Sequence, residues 1–439
     1  MFNWLFSIII LLNLTGLYSF IAPLFRVNVA AVSLVLLVLN CLYITINHKV
    51  AKRIFRKKHI FGWFVFLVFW PLLATIYAPA INFRELGLQM YYFTLLLAVV
   101  IYLLRNGFES FNRIITIAIA ITVAGLLLSM FKNGYFQSVA SITGKRIVFQ
   151  GRAFGFFMRP NILAMNSTLL FIVWFAGLRK TRILTTFFSL FGLLVLVSLT
   201  GSRGGFLMAV AVVSLVFINK SIRVKKPFKI LISPKSIISF FLVFGCFLAC
   251  IPLLLSFLTA KLPKHTGYYD VVARINAMSK MKLTEKNAEG KSTVNGRLQA
   301  LKYYSTMTCE RPILGHGFGA RNIFRAEGVL RLSSHNQYLR IAFETGIFRL
   351  AFYLLLLLSI YVHPGRKQTE RLLDTNSYAQ MFMVVMLAGM VSNTVLNSRV
   401  FYCVLGCFIA LLISPKVLNE DFKKPLSPNM LQPVSSKNK

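Results

Sequence analysis

The sequence predicts an all-α, polytopic membrane protein of about twelve transmembrane helices with one long external loop. Three observations carry this. Apolar residues make up 57% of the 439 residues and charged ones 14%, with a mean hydropathy of +0.69. Apolar runs of about 20 residues, enough for a helix to cross roughly 30 Å of hydrocarbon, recur along most of the chain. Basic residues collect between those runs on alternate sides, the pattern that orients membrane proteins. Backbone groups in hydrocarbon must be satisfied within their own segment, so the runs are helices.

In chain order the spans fall at 3–24, 28–47, 60–79, 87–104, 111–131, 161–178, 183–200, 204–219, 237–259, 345–362, 378–396 and 400–414. An even number puts both termini on one side. The loops starting at His48, Arg179, Lys220 and Arg366 are basic and share that side by parity, which makes it cytoplasmic. The external segments are then 80–87, 132–160, 200–204 and 260–344. The narrowest break is Thr200-Gly201-Ser202-Arg203-Gly204-Gly205, the whole separation between two spans. The first apolar run lacks a basic leader and a small-residue cleavage site, so it reads as an uncleaved span. The organisation that follows is N-terminal helices over 1–150, a central region over 151–351 holding the loop 260–344, C-terminal helices over 352–414, and a polar cytoplasmic tail over 415–439.

The 49 Lys and Arg against 12 Asp and Glu give a formal charge of +37. Because these charges lie between apolar runs and not on one soluble face, they argue for membrane orientation and not for nucleic acid. A basic excess on the external side calls for a second explanation, such as an anionic substrate. No Asp, Glu or His lies inside an expected span, which argues against a proton-coupled transporter. The six cysteines are too few and too buried in apolar runs for a disulfide framework.

The long loop concentrates the candidate chemistry. Its last stretch, Ser333-Ser334-His335-Asn336-Gln337-Tyr338-Leu339, predicts a serine-capped helix running into the next span. His335 would sit at that helix start, just above the membrane, where a neutral imidazole can serve as a general base. A hydrogen-bonded loop histidine is the plainer reading of the same residue. Asn295-Gly296-Arg297 reads as a helix start with Arg297 in its first turn. Pro312-Ile313-Leu314-Gly315-His316-Gly317-Phe318-Gly319 reads as a tight glycine turn, since no strand precedes it as a nucleotide-binding loop requires. Upstream, Arg152 and Arg159 precede Pro160-Asn161, with Pro160 suited to the first turn of a helix. These arginines, like Arg203 between its glycines, fit either lipid headgroups or a bound phosphate. His265 and His316 match no compact ligand spacing, so no metal is expected.

Taken together, Arg159-Pro160-Asn161, the Thr200–Gly205 break, Asn295-Gly296-Arg297, Pro312–Gly317 and His335-Asn336-Gln337-Tyr338-Leu339 with Glu344 and Gly346 resemble the O-antigen ligase and O-antigen polymerase superfamily over about 151–351. The resemblance implies a GT-C-like membrane glycosyltransferase at the periplasmic face of a bacterial inner membrane. It would transfer a glycan from undecaprenyl pyrophosphate to lipid A–core, with neither metal nor cofactor. It implies His335 as the catalytic base and Arg203 and Arg297 as pyrophosphate contacts, with Arg159 and Arg152 supporting them. Asn336, Glu344 and Asn161 are further supporting candidates, Glu344 by orienting His335 or binding sugar hydroxyls. The alternatives are a polymerase of O-antigen or another surface polysaccharide, and a transporter of an anionic solute with the basic loop as its funnel.

Overall fold

A computed structural model describes residues 2–77, 83–131, 155–157, 159–177, 183–200, 202–225, 229–232, 293–326, 336–362 and 398–413, with isolated positions at 238, 245 and 396. The described residues are mostly helical, with several apolar helices, as expected of an all-α membrane protein. Every expected span except 237–259 and 378–396, which lie largely outside the described residues, falls on a helix. The helices are α1 (Phe2–Thr15), α2 (Leu17–Leu24), α3 (Val29–Ile46), α4 (His48–Phe55), α5 (Lys58–Phe64), α6 (Trp70–Ile76), α7 (Phe83–Phe131), α8 (Pro160–Gly177), α9 (Ile183–Leu199) and α10 (Arg203–Ser221). They continue with α11 (Thr293–Glu310), α12 (Ala320–Ala326), α13 (Gln337–Thr345), α14 (Ile347–Val362) and α15 (Arg399–Ile413).

Three details differ from the simple reading. The first span is bent by 93° between α1 and α2, at Gly16 with φ 67°. A Cβ there would lie 2.7 Å from the Phe157 ring, so the missing side chain seats an aromatic wedge at the bend. The expected loop near 105–110 is a kink in α7 at Gly107, whose φ of 78° and ψ of 169° no helix accommodates. The basic segment after α10 forms a small antiparallel hairpin, β1 (Ile222–Lys225) with β2 (Lys229–Ile232), the exception to an all-helical chain among the described residues.

The first half of α7 is the axis of the bundle. Residues Leu95 to Ile101 are almost wholly buried, and α7 packs against α1, α3, α8 and α15. Tyr92 stacks on Tyr402 of α15 at 4.5 Å, and Gly406 lets α15 approach the Leu96 carbonyl closely. Outward-facing residues such as Leu34, Val35 and Val38 are more than half exposed, as expected of a surface bathed in lipid.

Contacts between distant segments respect the expected sharing of ends. Asn3 Nδ2 donates to Asn106 Oδ1 at 3.0 Å, Arg105 donates to Asn47, and Ser359 Oγ meets His59 Nδ1 at 3.4 Å. All of these belong to the end expected to carry the basic loops. At the opposite end Glu85 meets Arg340, and Ser398 Oγ donates to Asn166 Oδ1 at 2.6 Å.

Between α5 and α6 the span passes through a π-helical segment, Val65–Phe69. Such a segment frees carbonyls from the regular ladder. Arg349 of α14 takes one of them, donating from Nε and Nη2 to the Phe66 carbonyl at 3.1 and 2.9 Å, and from Nη1 to Thr345 Oγ1 at 3.1 Å. Its guanidinium also lies 4.4 Å from the Phe66 ring centroid. This pins the α13–α14 junction to the α5–α6 span.

Candidate active site

The end of the long loop folds as a compact helical unit of α11, a glycine turn, α12 and α13. Its core is Ala300, Tyr304, Ala320 and Phe343, with Tyr303, Met307, Phe324 and Leu339 packed around it. Tyr304 and Phe343 meet edge to face at 5.2 Å.

The turn is built by backbone freedom at Gly315, Gly317 and Gly319, with φ of 69°, 108° and 82°. It docks on the C-terminal end of α13 and supplies donors to carbonyls that a helix end leaves unpaired. His316 N donates to Phe343 O at 2.9 Å and Gly317 N to Glu344 O at 3.0 Å. Gly346 N returns to Ala342 O at 2.9 Å, and Trp70 Nε1 reaches Thr345 O at 3.0 Å. All four terminal carbonyls of α13 are therefore satisfied. A Cβ at Gly346 would collide with the Ile313 carbonyl, and one at Gly315 would come 2.5 Å from the Glu344–Thr345 peptide. His316 is a packing residue: its ring stacks on Phe343 at 4.8 Å, and Nε2 lies 2.7 Å from Met307 O.

These contacts fix the direction of α11. Ile347 N donates to Pro312 O at 2.8 Å, and two residues after Glu310 span at most about 7 Å. The C-terminal ends of α11 and α13 therefore lie together, and the two helices run parallel. With Tyr304 opposite Phe343, the Arg297 backbone position comes level with Asn336. The helix begins at Thr293, so Arg297 is one turn further in than expected.

Asn336, and not a serine, caps α13: its Oδ1 accepts from Tyr338 N at 2.9 Å and Leu339 N at 3.2 Å. Ser333, Ser334, Asn336 and their neighbours all have capping side chains, and packing decides which one is used. His335 immediately precedes this cap and lies outside the described residues, as do Ser333, Ser334 and Arg152.

α13 is tied to the bundle by an ion network. Arg340 Nε donates to Glu344 Oε1 at 3.0 Å, Arg340 Nη2 lies 3.5 Å from Glu85 Oε2 on α7, and Glu85 Oε1 accepts from Asn322 Nδ2 at 3.0 Å. Arg340 and Glu344 are almost fully buried. Burial alone would lower the Arg340 pKa, but Glu344 and Glu85 outweigh it and raise it above the ordinary guanidinium value. Arg321 is pushed the other way, by burial first and by Arg340 second. Glu344 lies about 12 Å along the helix from Asn336 and is occupied by Arg340, so it is not placed to orient a residue before the cap. It acts as a strut.

The break between α9 and α10 is present. Ser202 caps α10, its Oγ accepting from Gly205 N at 3.2 Å, and Arg203 is the first helical residue. A Cβ at Gly205 would strike Ala164 Cβ, so this glycine lets α10 approach α8, while Gly204 faces open space. Arg159 is exposed, its carbonyl accepts from Leu163 N at 3.0 Å, and Pro160 opens α8 as expected. The segment before it is anchored by Phe156 on Phe20 at 5.2 Å and by Gly155 N donating to Ser129 Oγ at 3.2 Å. Asn161 is exposed on the first turn of α8. Arg159, Asn161 and Arg203 thus start helices α8 and α10, which pack together, while Arg297 and Asn336 lie toward the starts of α11 and α13, which also pack together.

Sequence reasoning missed Glu85, Asn322, Arg340, Arg349 and Arg399. Arg340 and Glu344 were visible as an i,i+4 pair, and Arg349 as a lone cation inside an apolar run, a standing signal of function or of a buried partner. Among the described residues no group of three or more His, Cys, Asp or Glu could hold a metal ion.

Residues 188–354 match the family model described as O-antigen ligase. The match takes in the α9–α10 break, α11, the glycine turn and α13, and it bears out the family resemblance read from the motifs. No curated protein matches the chain.

Proposed function

Proceeding from the O-antigen ligase match, we propose that this protein is a membrane glycosyltransferase that moves a glycan from undecaprenyl pyrophosphate to lipid A–core. It works at the periplasmic face of the bacterial inner membrane, with about twelve spans in a GT-C-like bundle and both termini cytoplasmic. The observation that carries this reading is the parallel packing of α11 and α13. It sets the Arg297 position level with the Asn336 cap, inside the matched region.

In this reading an acceptor hydroxyl attacks the anomeric carbon of the donor. The new glycosidic bond forms as the bond to the pyrophosphate breaks, and undecaprenyl pyrophosphate leaves with the bonding electrons. His335 accepts the hydroxyl proton, a role worth about 10²–10⁴ in rate. Arg203 and Arg297 hold the pyrophosphate, where charge accumulates, with Arg159 and Arg152 supporting. Losing one such donor raises the barrier by roughly 3–4 kcal/mol, on the scale of oxyanion-hole donors. Asn336 caps the start of α13, Asn161 on the first turn of α8 is a further supporting residue, and Glu344 acts through Arg340 to hold α13. The reaction needs neither metal nor nucleotide sugar.

The test is deletion of the gene followed by analysis of surface polysaccharide and carrier-linked glycans. Loss of a ligase leaves long glycans on the carrier and bare cores. Cores bearing a single repeat would assign polymerase activity instead. Unchanged glycans with altered uptake of an anionic solute would overturn the enzyme reading.

A further inference from the structure

Arg399, the first residue of α15, is a cation that the scheme above does not use. Its guanidinium carbon lies 3.8 Å from the Tyr18 ring centroid and 4.9 Å from that of Tyr91. Nη2 donates to Ser33 Oγ at 2.8 Å, while Nη1 is buried with no hydrogen-bond partner among the described residues. The contrast with the other buried arginines is chemical. Arg340 also has a buried Nη1 without a hydrogen-bond partner among the described residues but is paired with two carboxylates, and Arg349 has a carbonyl and a hydroxyl for its three nitrogens. Among the described residues Arg399 has ring faces, one hydroxyl and no carboxylate.

A charge taken from water into such surroundings is ordinarily paired, and a planar guanidinium with a free edge suits phosphate oxygens. The chain offers few counter-charges, with 12 carboxylates against 49 Lys and Arg. The position is also anchored beside the candidate site. Ser398 joins Arg399 to Asn166 on the second turn of α8, whose start is Arg159-Pro160. Tyr91, under the Arg399 guanidinium, lies on the same helix as Glu85, the carboxylate that meets Arg340. Next to Ser33, Leu34 and Val35 are more than half exposed, so α3 borders the outer surface of the bundle at this position.

We propose that Arg399, held by Tyr18, Tyr91 and Ser33, is a binding position for a lipid-borne phosphate, distinct from Arg203 and Arg297. Identifying that lipid as the glycan carrier rests on the proposed function; the phosphate site itself does not.

The experiment is a binding titration of the purified full-length protein in detergent with undecaprenyl phosphate and with phosphatidylglycerol. It compares wild type, Arg399→Gln and Ser33→Ala. Arg399→Gln should weaken lipid-phosphate binding by about tenfold or more, and Ser33→Ala by less, as for loss of a charge-assisted and then a neutral contact. Preference for undecaprenyl phosphate assigns the site to the carrier. Equal weakening for both lipids assigns it to phospholipid headgroups. Wild-type affinity for both lipids in an Arg399→Gln protein with an unchanged gel-filtration profile overturns the proposal. If Arg399→Gln does not fold, wild-type affinity in Ser33→Ala and in Arg399→Lys overturns it equally. A parallel glycan-transfer assay keeps the two readings separate, since absent transfer with Arg399-dependent binding defeats only the enzyme.

Discussion

Two ion pairs in this chain share the same i,i+4 spacing and differ in charge order and in their surroundings. Arg113 and Glu109 approach to 2.5 Å with side chains 76% and 73% exposed, whereas Arg340 and Glu344 lie at 3.0 Å and are each 3% exposed. Distance alone would rank the exposed pair first. Burial reverses the order, because removing one partner from a buried pair leaves an uncompensated charge, at about 3–5 kcal/mol. An exposed helix pair contributes roughly 0.3–0.5 kcal/mol. Arg340→Leu should therefore destabilise α13 strongly, since Glu344 and Glu85 both lose their cation. In hydrogen exchange on the purified protein, α13 amides should speed up by about 10² or more, the factor that 3 kcal/mol corresponds to. Glu109→Gln should leave amides near residue 109 within about fivefold of wild type. The double change Arg340→Met with Glu344→Met should recover part of the protection. An Arg340→Leu protein whose α13 exchange stays within about fivefold of wild type would refute the assignment of α13's stability to this network.

Other outcomes follow from the same contacts. The raised Arg340 pKa means its contribution is present below the ordinary guanidinium range and lost only above it, so α13 protection, corrected for intrinsic rate, should stay flat from about pH 7 to 9. His335→Ala should reduce glycan transfer by on the order of 10²–10⁴ at normal membrane levels; full activity in such a variant removes His335 from the mechanism. Gly205→Ala should impair folding by forcing α10 from α8, while Gly204→Ala, with open space around it, should be neutral or stabilising by up to about 1 kcal/mol; equal membrane levels and thermal stability for the two would contradict the packing. Gly346→Ala combines a φ of 86° with a collision against the Ile313 carbonyl, so it should sharply lower the amount of folded protein recovered from membranes.

The spans were legible because each is an apolar run bounded by charge, and the α9–α10 break because capping and small residues interrupt one. The glycine turn could be read from three glycines at alternate positions, since each adopts positive φ. What could not be read depends on partners far away in the chain. The bend at Gly16 exists because Phe157 fills it, and the same residue without that ring would be an ordinary helix glycine. The capping residue of α13 was ambiguous because several adjacent side chains can cap, and only packing selects Asn336. Likewise Glu344 read as a group that orients His335 or binds sugar hydroxyls, because its burial with Arg340 against Glu85 of α7 depends on a distant helix. Arg203 and Arg297 were singled out from their local settings, and the pairing of α11 with α13 could be seen only once the direction of α11 was known.

The docking of the glycine turn on α13 has a consequence for how substrates reach this region. With its last four carbonyls occupied by the turn, by Gly346 and by Trp70, the membrane end of α13 is a sealed joint. Its rotation would break bonds to two separate parts of the chain at once. In the proposed transfer reaction, adaptation to acceptors of different size then falls to groups other than this joint. The helix is clamped through its carbonyls at the base and packed through Tyr338 and Leu339 near its cap.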